Sequence, residues 1–230
     1  MSTSAQLRKN KRQHLPKNAL SKGDDKKIAE VMDDVIAHLN SRYKLADLGW
    51  YLEYVKSIKL TELIGIIKSY DKRTEFATLT KSDAFIKPDG GILLLRKTKD
   101  KKYKRIALAV EMKRQGTNDQ RLAEGKKMQS KGNAIERLGK NLIGIRSTLQ
   151  YEKVTPFVCF GWGVDFSEDS SIRDRVITMN EFYPLNRIFV QKQGQYAPVS
   201  MFFREKEWGK AELFEKMKDI AEASISAYIY

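Results

Sequence analysis

The chain has 230 residues, 41% hydrophobic and 31% charged, with 43 Lys and Arg against 29 Asp and Glu and a formal net charge of +14. That length and apolar content build one substantial domain with its own core, and no segment approaches the run of about 18 apolar residues that a membrane span requires. The single cysteine, Cys159, excludes an internal disulfide, and residues 1–22 lack the apolar stretch of a secretory signal, so the expected setting is a reducing cytoplasm. The charge excess attracts polyanions, nucleic acid foremost, but charge runs also serve simply to solvate a surface, and composition alone does not separate the two.

Residues 1–22 carry Arg8, Lys9, Lys11, Arg12, Lys17 and Lys22 without an acidic residue and have too little apolar content to fold, which reads as a flexible basic arm before a single domain over 23–230. From Asp24 to Tyr43, Ile28, Val31, Met32, Val35, Ile36 and Leu39 recur at helical spacing, with Asp24 and Asp25 favourably placed near the helix N-terminus. A second helix is expected between Leu60 and Tyr70. Phe85 and Ile86 then precede Pro88-Asp89-Gly90-Gly91; Ile92 to Leu95 and Ile106 to Val110 run apolar on either side of a charged turn at Lys97 to Lys104, the pattern of a hairpin. Both runs are too continuous for a half-exposed sheet, so helices should cover both faces. A loop over Gln115 to Lys131 leads to helical spacing from Asn133 to Gln150, with Ile135, Leu138, Leu142, Ile145 and Leu149 in one stripe, read equally as core or as a two-fold subunit contact. Strands are expected at Pro156 to Trp162, Ile188 to Val190 and Val199 to Phe203, and a closing helix at Trp208 to Ala227. The order indicates an α/β fold with a mixed central β-sheet flanked by helices.

Hydrolysis of a phosphodiester needs charge neutralisation, an activated water and help for the leaving oxygen, and a divalent metal supplies all three. Magnesium is held by one or two carboxylates together with substrate phosphate oxygens, so a site needs few residues. The hairpin brings Asp89, at the start of one strand, near Glu111 at the end of the next. Glu111 and Lys113, two apart, point to one face while Met112 turns to the other. Acid-x-Lys triplets are common in so charged a chain, as Glu124-Gly125-Lys126, Asp100-Lys101-Lys102 and Asp24-Asp25-Lys26 illustrate. Glu111-Met112-Lys113 differs in being attached to the buried run Ile106 to Val110, where two charges need a reason. An ordinary strand-end salt bridge is the alternative. His14, His38 and Cys159 have no zinc-ligand spacing, and neither histidine suits nucleophilic catalysis by Cys or Ser.

Gly132-Asn133-Ala134-Ile135-Glu136-Arg137 opens the most regular helix of the chain. Asn133 and Glu136 resemble a capping box that satisfies free backbone N–H groups. A helix N-terminus aimed into a DNA major groove would also present Asn, Glu and Arg to base edges, and the two readings coexist.

Three blocks together carry a resemblance: Ile86-Lys87-Pro88-Asp89-Gly90-Gly91-Ile92, Ala109-Val110-Glu111-Met112-Lys113-Arg114-Gln115-Gly116, and Gly132 to Arg137 followed by Lys140-Asn141. In order and near spacing they resemble the EcoRI/MunI family of type II restriction endonucleases, within the PD-(D/E)xK nuclease superfamily. The resemblance runs from about Phe85 to Phe160, and its third block is the most specific. It implies a PD-(D/E)xK restriction-endonuclease-like fold, with Asp89 and Glu111 binding Mg2+ and Lys113 assisting the attacking water. It implies that Gly132, Asn133, Ala134, Glu136 and Arg137 form the block that reads an AATT core, with Lys87, Gln115, Lys140 and Asn141 near the DNA backbone. It further implies a homodimer acting on palindromes in double-stranded DNA, four-base 5′ extensions, no membrane association, and a matching DNA methyltransferase in the same bacterial cell. Leu185-Asn186-Arg187 faintly resembles a family segment whose arginine contacts the outer guanine. Arg114 replaces a histidine of EcoRI, the loop between Gly125 and Gly132 is shorter by about four residues, and Gln129 to Lys131 differs, so the outer base pair stays open.

Overall fold

The computed structural model describes residues 19–70, 84–114, 125, 154–163, 166 and 199–230, with the side chains of residues 19–22 and 70 left out. Helix α1 spans Ala19–Tyr43, strand β1 Trp50–Val55, β2 Ile58–Lys59, helix α2 Leu60–Tyr70 and strand β3 Phe85–Ile86. Strands β4 and β5 follow at Ile92–Lys97 and Lys104–Arg114, then β6 at Phe157–Trp162, β7 at Ser200–Arg204 and helix α3 at Lys210–Ile229. The helix expected at 133–150 and the strand expected at 188–190 lie outside the described residues.

Five strands form one sheet in the order β1-β4-β5-β6-β7, and β2 and β3 form a separate two-stranded ribbon. The β1–β4 and β4–β5 pairs are antiparallel, whereas β5–β6 and β6–β7 are parallel, so the central sheet is mixed as expected. Ile28, Val31, Met32, Val35 and Leu39 of α1, together with Leu213, Met217, Ile220 and Ile225 of α3, cover one face and meet Leu93, Leu95, Val110, Val158 and Phe160. On the other face Leu63 and Ile66 of α2 and Ile58 and Ile86 of the ribbon meet Ile92, Leu94, Ile106, Ala109, Phe157 and Cys159. Coverage on both sides explains why the middle strands read as unbroken apolar runs.

Several elements differ from expectation. Helix α1 begins at Ala19 rather than Asp24 and has no acidic residue in its first turn, so Asp24 and Asp25 do not act as charges at a helix start. Strands β1 and β2 were not foreseen: the Trp, Tyr and Val content of Trp50–Val55 is strand-forming, but β1 is a half-buried edge strand without clean alternation. Helix α3 starts at Lys210 because Gly209 occupies the N-cap position, where its N–H donates to Glu212 Oε2 at 2.9 Å.

One irregularity sets the faces of the central strand. The β4–β5 register slips between Leu93 and Leu94: Leu93 pairs with Leu108 but Leu94 with Ile106, leaving Ala107 as an additional residue. Ala107 and Leu108 consequently both belong to the α1/α3 side. Beyond the slip, Ala109 faces the α2 side, while Val110 and Met112 face α1 and α3. A bulge of one residue reverses the facing of everything after it, so Glu111 and Lys113 lie on the α2 side of the sheet.

Candidate active site

Asp89 lies in the tight turn Pro88 to Gly91, closed by a Gly91 N–H to Pro88 carbonyl bond of 3.0 Å. Gly91 has φ of +74°, a left-handed conformation open to glycine at little cost. Gly90 serves another need: a Cβ there would stand 2.7 Å from Ile28 Cγ2 and 2.7 Å from Val110 Cβ. The turn is thus pressed between α1 and β5. The Gly90 N–H donates to the Val110 carbonyl at 2.8 Å and the Val110 N–H donates to the Gly91 carbonyl at 3.1 Å, which seats Asp89 beside Glu111.

The three expected catalytic residues come together. Lys113 Nζ donates to Asp89 Oδ2 at 2.7 Å and forms an ion pair with Glu111 Oε1, while the Asp89 N–H donates to Glu111 Oε2 at 3.1 Å. Glu111 is completely buried, and the side chains of Lys113 and Asp89 are 17% and 38% exposed. The cluster therefore opens to solvent on the Asp89 side. Burial by itself would push the Lys113 ammonium down, but the Glu111 and Asp89 charges and their hydrogen bonds outweigh it and hold the pKa above the usual lysine value. Two hard carboxylates converging on one cationic atom fit a divalent ion that takes oxygen ligands.

Two groups around this cluster carried no signal in their spacing. Asp25 of α1 is exposed; partial desolvation and the Asp89 charge raise its carboxyl pKa against the pull of Lys87 and Lys113. It stands within the electrostatic reach of the site although 64 residues separate it from Asp89 (89 − 25). Cys159 is the register partner of Glu111 on β6; burial and then the Glu111 charge push its thiol well up, so it stays an uncharged neighbour.

Arg114, the departure beside the lysine, points the other way. Its guanidinium lies 4.7 Å from the ring centroid of Trp162, its register partner, on the side of the sheet where Asp24 is buried to 5% exposure. Burial raises the Asp24 carboxyl pKa, with Lys27 and Arg114 pulling against it. Arg114 thus contributes to the α1 side and not to the carboxylate cluster. Lys87 is exposed, two residues before Asp89. The remaining expected DNA contacts, Gln115, Gly132, Asn133, Ala134, Glu136, Arg137, Lys140, Asn141 and Arg187, lie outside the described residues, as does the stripe from Ile135 to Leu149.

Comparison with known proteins bears on the whole arrangement. The family model described as restriction endonuclease EcoRI matches residues 13–173, a span that includes all three sequence blocks and stops short of Arg187. The chain is 27% identical over 243 residues to the type II restriction enzyme EcoRI of Escherichia coli, covering 89% of this chain and 85% of that protein. It is 31% identical over 163 residues to the type II restriction enzyme RsrI of Cereibacter sphaeroides, covering 66% of this chain and 55% of the relative. A family match over most of the chain joins a mixed sheet in which β5 and the turn before β4 bring Asp89, Glu111 and Lys113 into one cluster, and the chain belongs to the EcoRI family of restriction endonucleases.

Proposed function

We propose that this protein makes double-strand cuts in DNA at a palindrome with an AATT core, using Mg2+ and acting as a two-fold homodimer that leaves four-base 5′ extensions. The observation that carries the reading is the convergence of Asp89 and Glu111 on Lys113 Nζ at the solvent-open end of β5. In this reading Asp89 and Glu111 hold the metal, which supplies charge neutralisation on the phosphate and an activated water. Lys113, held in place by both carboxylates, donates hydrogen bonds that orient the attacking water and a phosphate oxygen. Lys87 neutralises the adjoining backbone, with Gln115, Lys140 and Asn141 as further backbone contacts. The buried floor of the site, formed by Glu111 beside Cys159, keeps these groups in one geometry.

Asn133, Ala134, Glu136 and Arg137 read the core, and the outer pair is either unread or read through Gln129 to Lys131 and Arg187. A palindrome cut on both strands requires two copies of the site related as the DNA strands are, and the stripe Ile135, Leu138, Leu142, Ile145 and Leu149 is the candidate contact. Among the described residues no helix is long and apolar enough to cross a membrane, and the proposed setting is a bacterial cytoplasm shared with a matching methyltransferase.

Digestion of genomic DNA with the purified protein, with and without Mg2+, followed by sequencing of the ends tests the proposal. Discrete Mg2+-dependent fragments beginning with AATT, or with that core preceded by at most one fixed base, are expected. Other fixed ends would remove the specificity claim, and an absence of cutting would remove the nuclease reading. Glu136→Ala or Arg137→Ala should cost about 1–3 kcal/mol of discrimination at particular base pairs. A monomeric mass by sedimentation, free and on a short cognate duplex, would overturn the dimer.

A further inference from the structure

The segment that leads from β3 into the Asp89 turn is two-sided. Phe85, Lys87 and Asp89 are exposed, whereas Ile86, Pro88 and Gly90 are buried, the period-two alternation of a strand with one face on the core. Phe85 begins this exposed row on β3, and its cross-strand partner on β2 is Lys59, which is also exposed. Behind them Ile58 pairs with Ile86, and both are buried in the apolar cluster under the sheet. The ribbon is thereby anchored by one face and presents an aromatic ring and an ammonium side by side on the other.

Phe85 is 61% exposed, one of four large hydrophobic side chains so placed among the described residues. A single exposed apolar residue needs no explanation. This one lies in line with the catalytic carboxylate, and among the described residues neither Lys59 nor Lys87 forms a salt bridge. At about 3.3 Å per extended residue, the path from Phe85 to Asp89 spans at most about 13 Å. Phosphates advance about 3.4 Å per nucleotide along the duplex axis, so the row covers up to about four nucleotides from the phosphate at Asp89.

We infer that the β2–β3 ribbon is a second DNA-backbone contact, with Lys59 on a phosphate and the Phe85 ring against the adjoining deoxyribose, within four nucleotides of the cut. The inference rests on the nuclease reading above and extends it to two residues outside the three sequence blocks. Such a contact positions the strand without reading bases. It enlarges the basic surface beyond Lys87 and accounts for an aromatic ring facing water beside two cations.

The test measures binding to a cognate duplex without divalent metal over a range of salt concentrations, for the wild type and for Lys59→Ala, Phe85→Ser, Phe85→Tyr and Lys99→Ala. Lys59→Ala should lower the slope of log affinity against log salt by about one, the signature of one lost phosphate contact. Phe85→Ser should weaken binding about fivefold or more through lost apolar burial, at unchanged slope because no charge is lost, and Phe85→Tyr should restore it. Lys99→Ala, in the exposed turn at the opposite end of β4, should keep the wild-type slope and thereby separate a local contact from overall charge. Replacing single phosphates by neutral methylphosphonates within four nucleotides of the cut should reveal one position that weakens the wild type and not Lys59→Ala. Wild-type slope and affinity in both Lys59→Ala and Phe85→Ser, in a protein that cuts DNA, would overturn the inference. A wild-type protein that cuts no DNA would instead overturn the nuclease reading on which it rests.

Discussion

The backbone N–H of Asp89 donates to Glu111 Oε2 at 3.1 Å, so the turn that carries one carboxylate is fastened by the other. Glu111 therefore shapes the site besides contributing charge to it. The same carboxylate is fully buried and ion-paired to Lys113, which makes this strand end sensitive to any change of charge.

Asp89→Asn and Glu111→Gln should each reduce cleavage by about a hundredfold or more, equivalent to about 2.7 kcal/mol of barrier, while duplex binding without metal stays close to wild type. Backbone affinity comes from cations elsewhere on the surface, and an amide oxygen at position 111 still accepts from the Asp89 N–H. Plasmid cleavage and anisotropy titrations on the same preparations make the check. Ordinary cutting by a folded Glu111→Gln protein would refute the assignment.

Removing the Lys113 ammonium should harm stability as well as activity. Breaking a buried ion pair by deleting one partner costs about 3–5 kcal/mol when the other charge remains buried, and Glu111 has no exposure to fall back on. Lys113→Met is expected near the lower end, because Asp89 is partly solvated. The double variant Lys113→Met/Glu111→Gln should recover most of that loss, giving a coupling of about 1–3 kcal/mol in a urea-denaturation cycle. Strict additivity would show that the pair is not coupled.

Two glycine substitutions should have opposite effects. At Gly90 a methyl group would meet Ile28 Cγ2 and Val110 Cβ at 2.7 Å, so Gly90→Ala should cost about 1–3 kcal/mol as overpacking and lower cleavage by displacing Asp89. A Cβ at Gly23, inside α1, would have nothing within 4 Å. Gly23→Ala should therefore stabilise by about 0.5–1 kcal/mol and leave cleavage unchanged. Melting temperatures and initial rates distinguish the two cases.

Acid stability should depend on Glu212. Hydrogen bonds from Arg204, and then from the Gly209 N–H, lower its pKa from 4.5 to about 2. A carboxylate depressed in the folded state stabilises above its unfolded pKa, and that contribution is lost as pH falls through the folded value. In Glu212→Gln the decline of stability between about pH 4.5 and pH 2 should be shallower than in wild type, with little difference in slope above pH 6. Chemical denaturation at several pH values measures this. An unchanged acid limb would show that Arg204 does not favour the ionised form.

Much of this protein was determined by local sequence. Apolar spacing along Ile28 to Leu39 and Leu60 to Tyr70 specifies two helices, and the runs at Ile92 to Leu95 and Ile106 to Val110 specify a buried hairpin, because these periods follow from backbone geometry alone. The Pro88-Asp89 and Glu111-x-Lys113 pattern identified the cluster, since strand pairing across a short turn brings such residues together. Other features depended on contacts distant in the chain. The bulge at Ala107 decides that Glu111 and Lys113 face the α2 side, yet nothing in Ile106 to Val110 marks the slip, which arises from how β4 and β5 pair. The edge strand β1 is held by its pairing to β4, and Asp25 enters the site's field only because α1 crosses the Asp89 turn. Gly90 likewise looks like any turn glycine until Ile28 and Val110 are seen to leave no room for a Cβ. Local periodicity sets which residues share a face of their own element, whereas packing between elements sets which faces meet, and the second requires the fold.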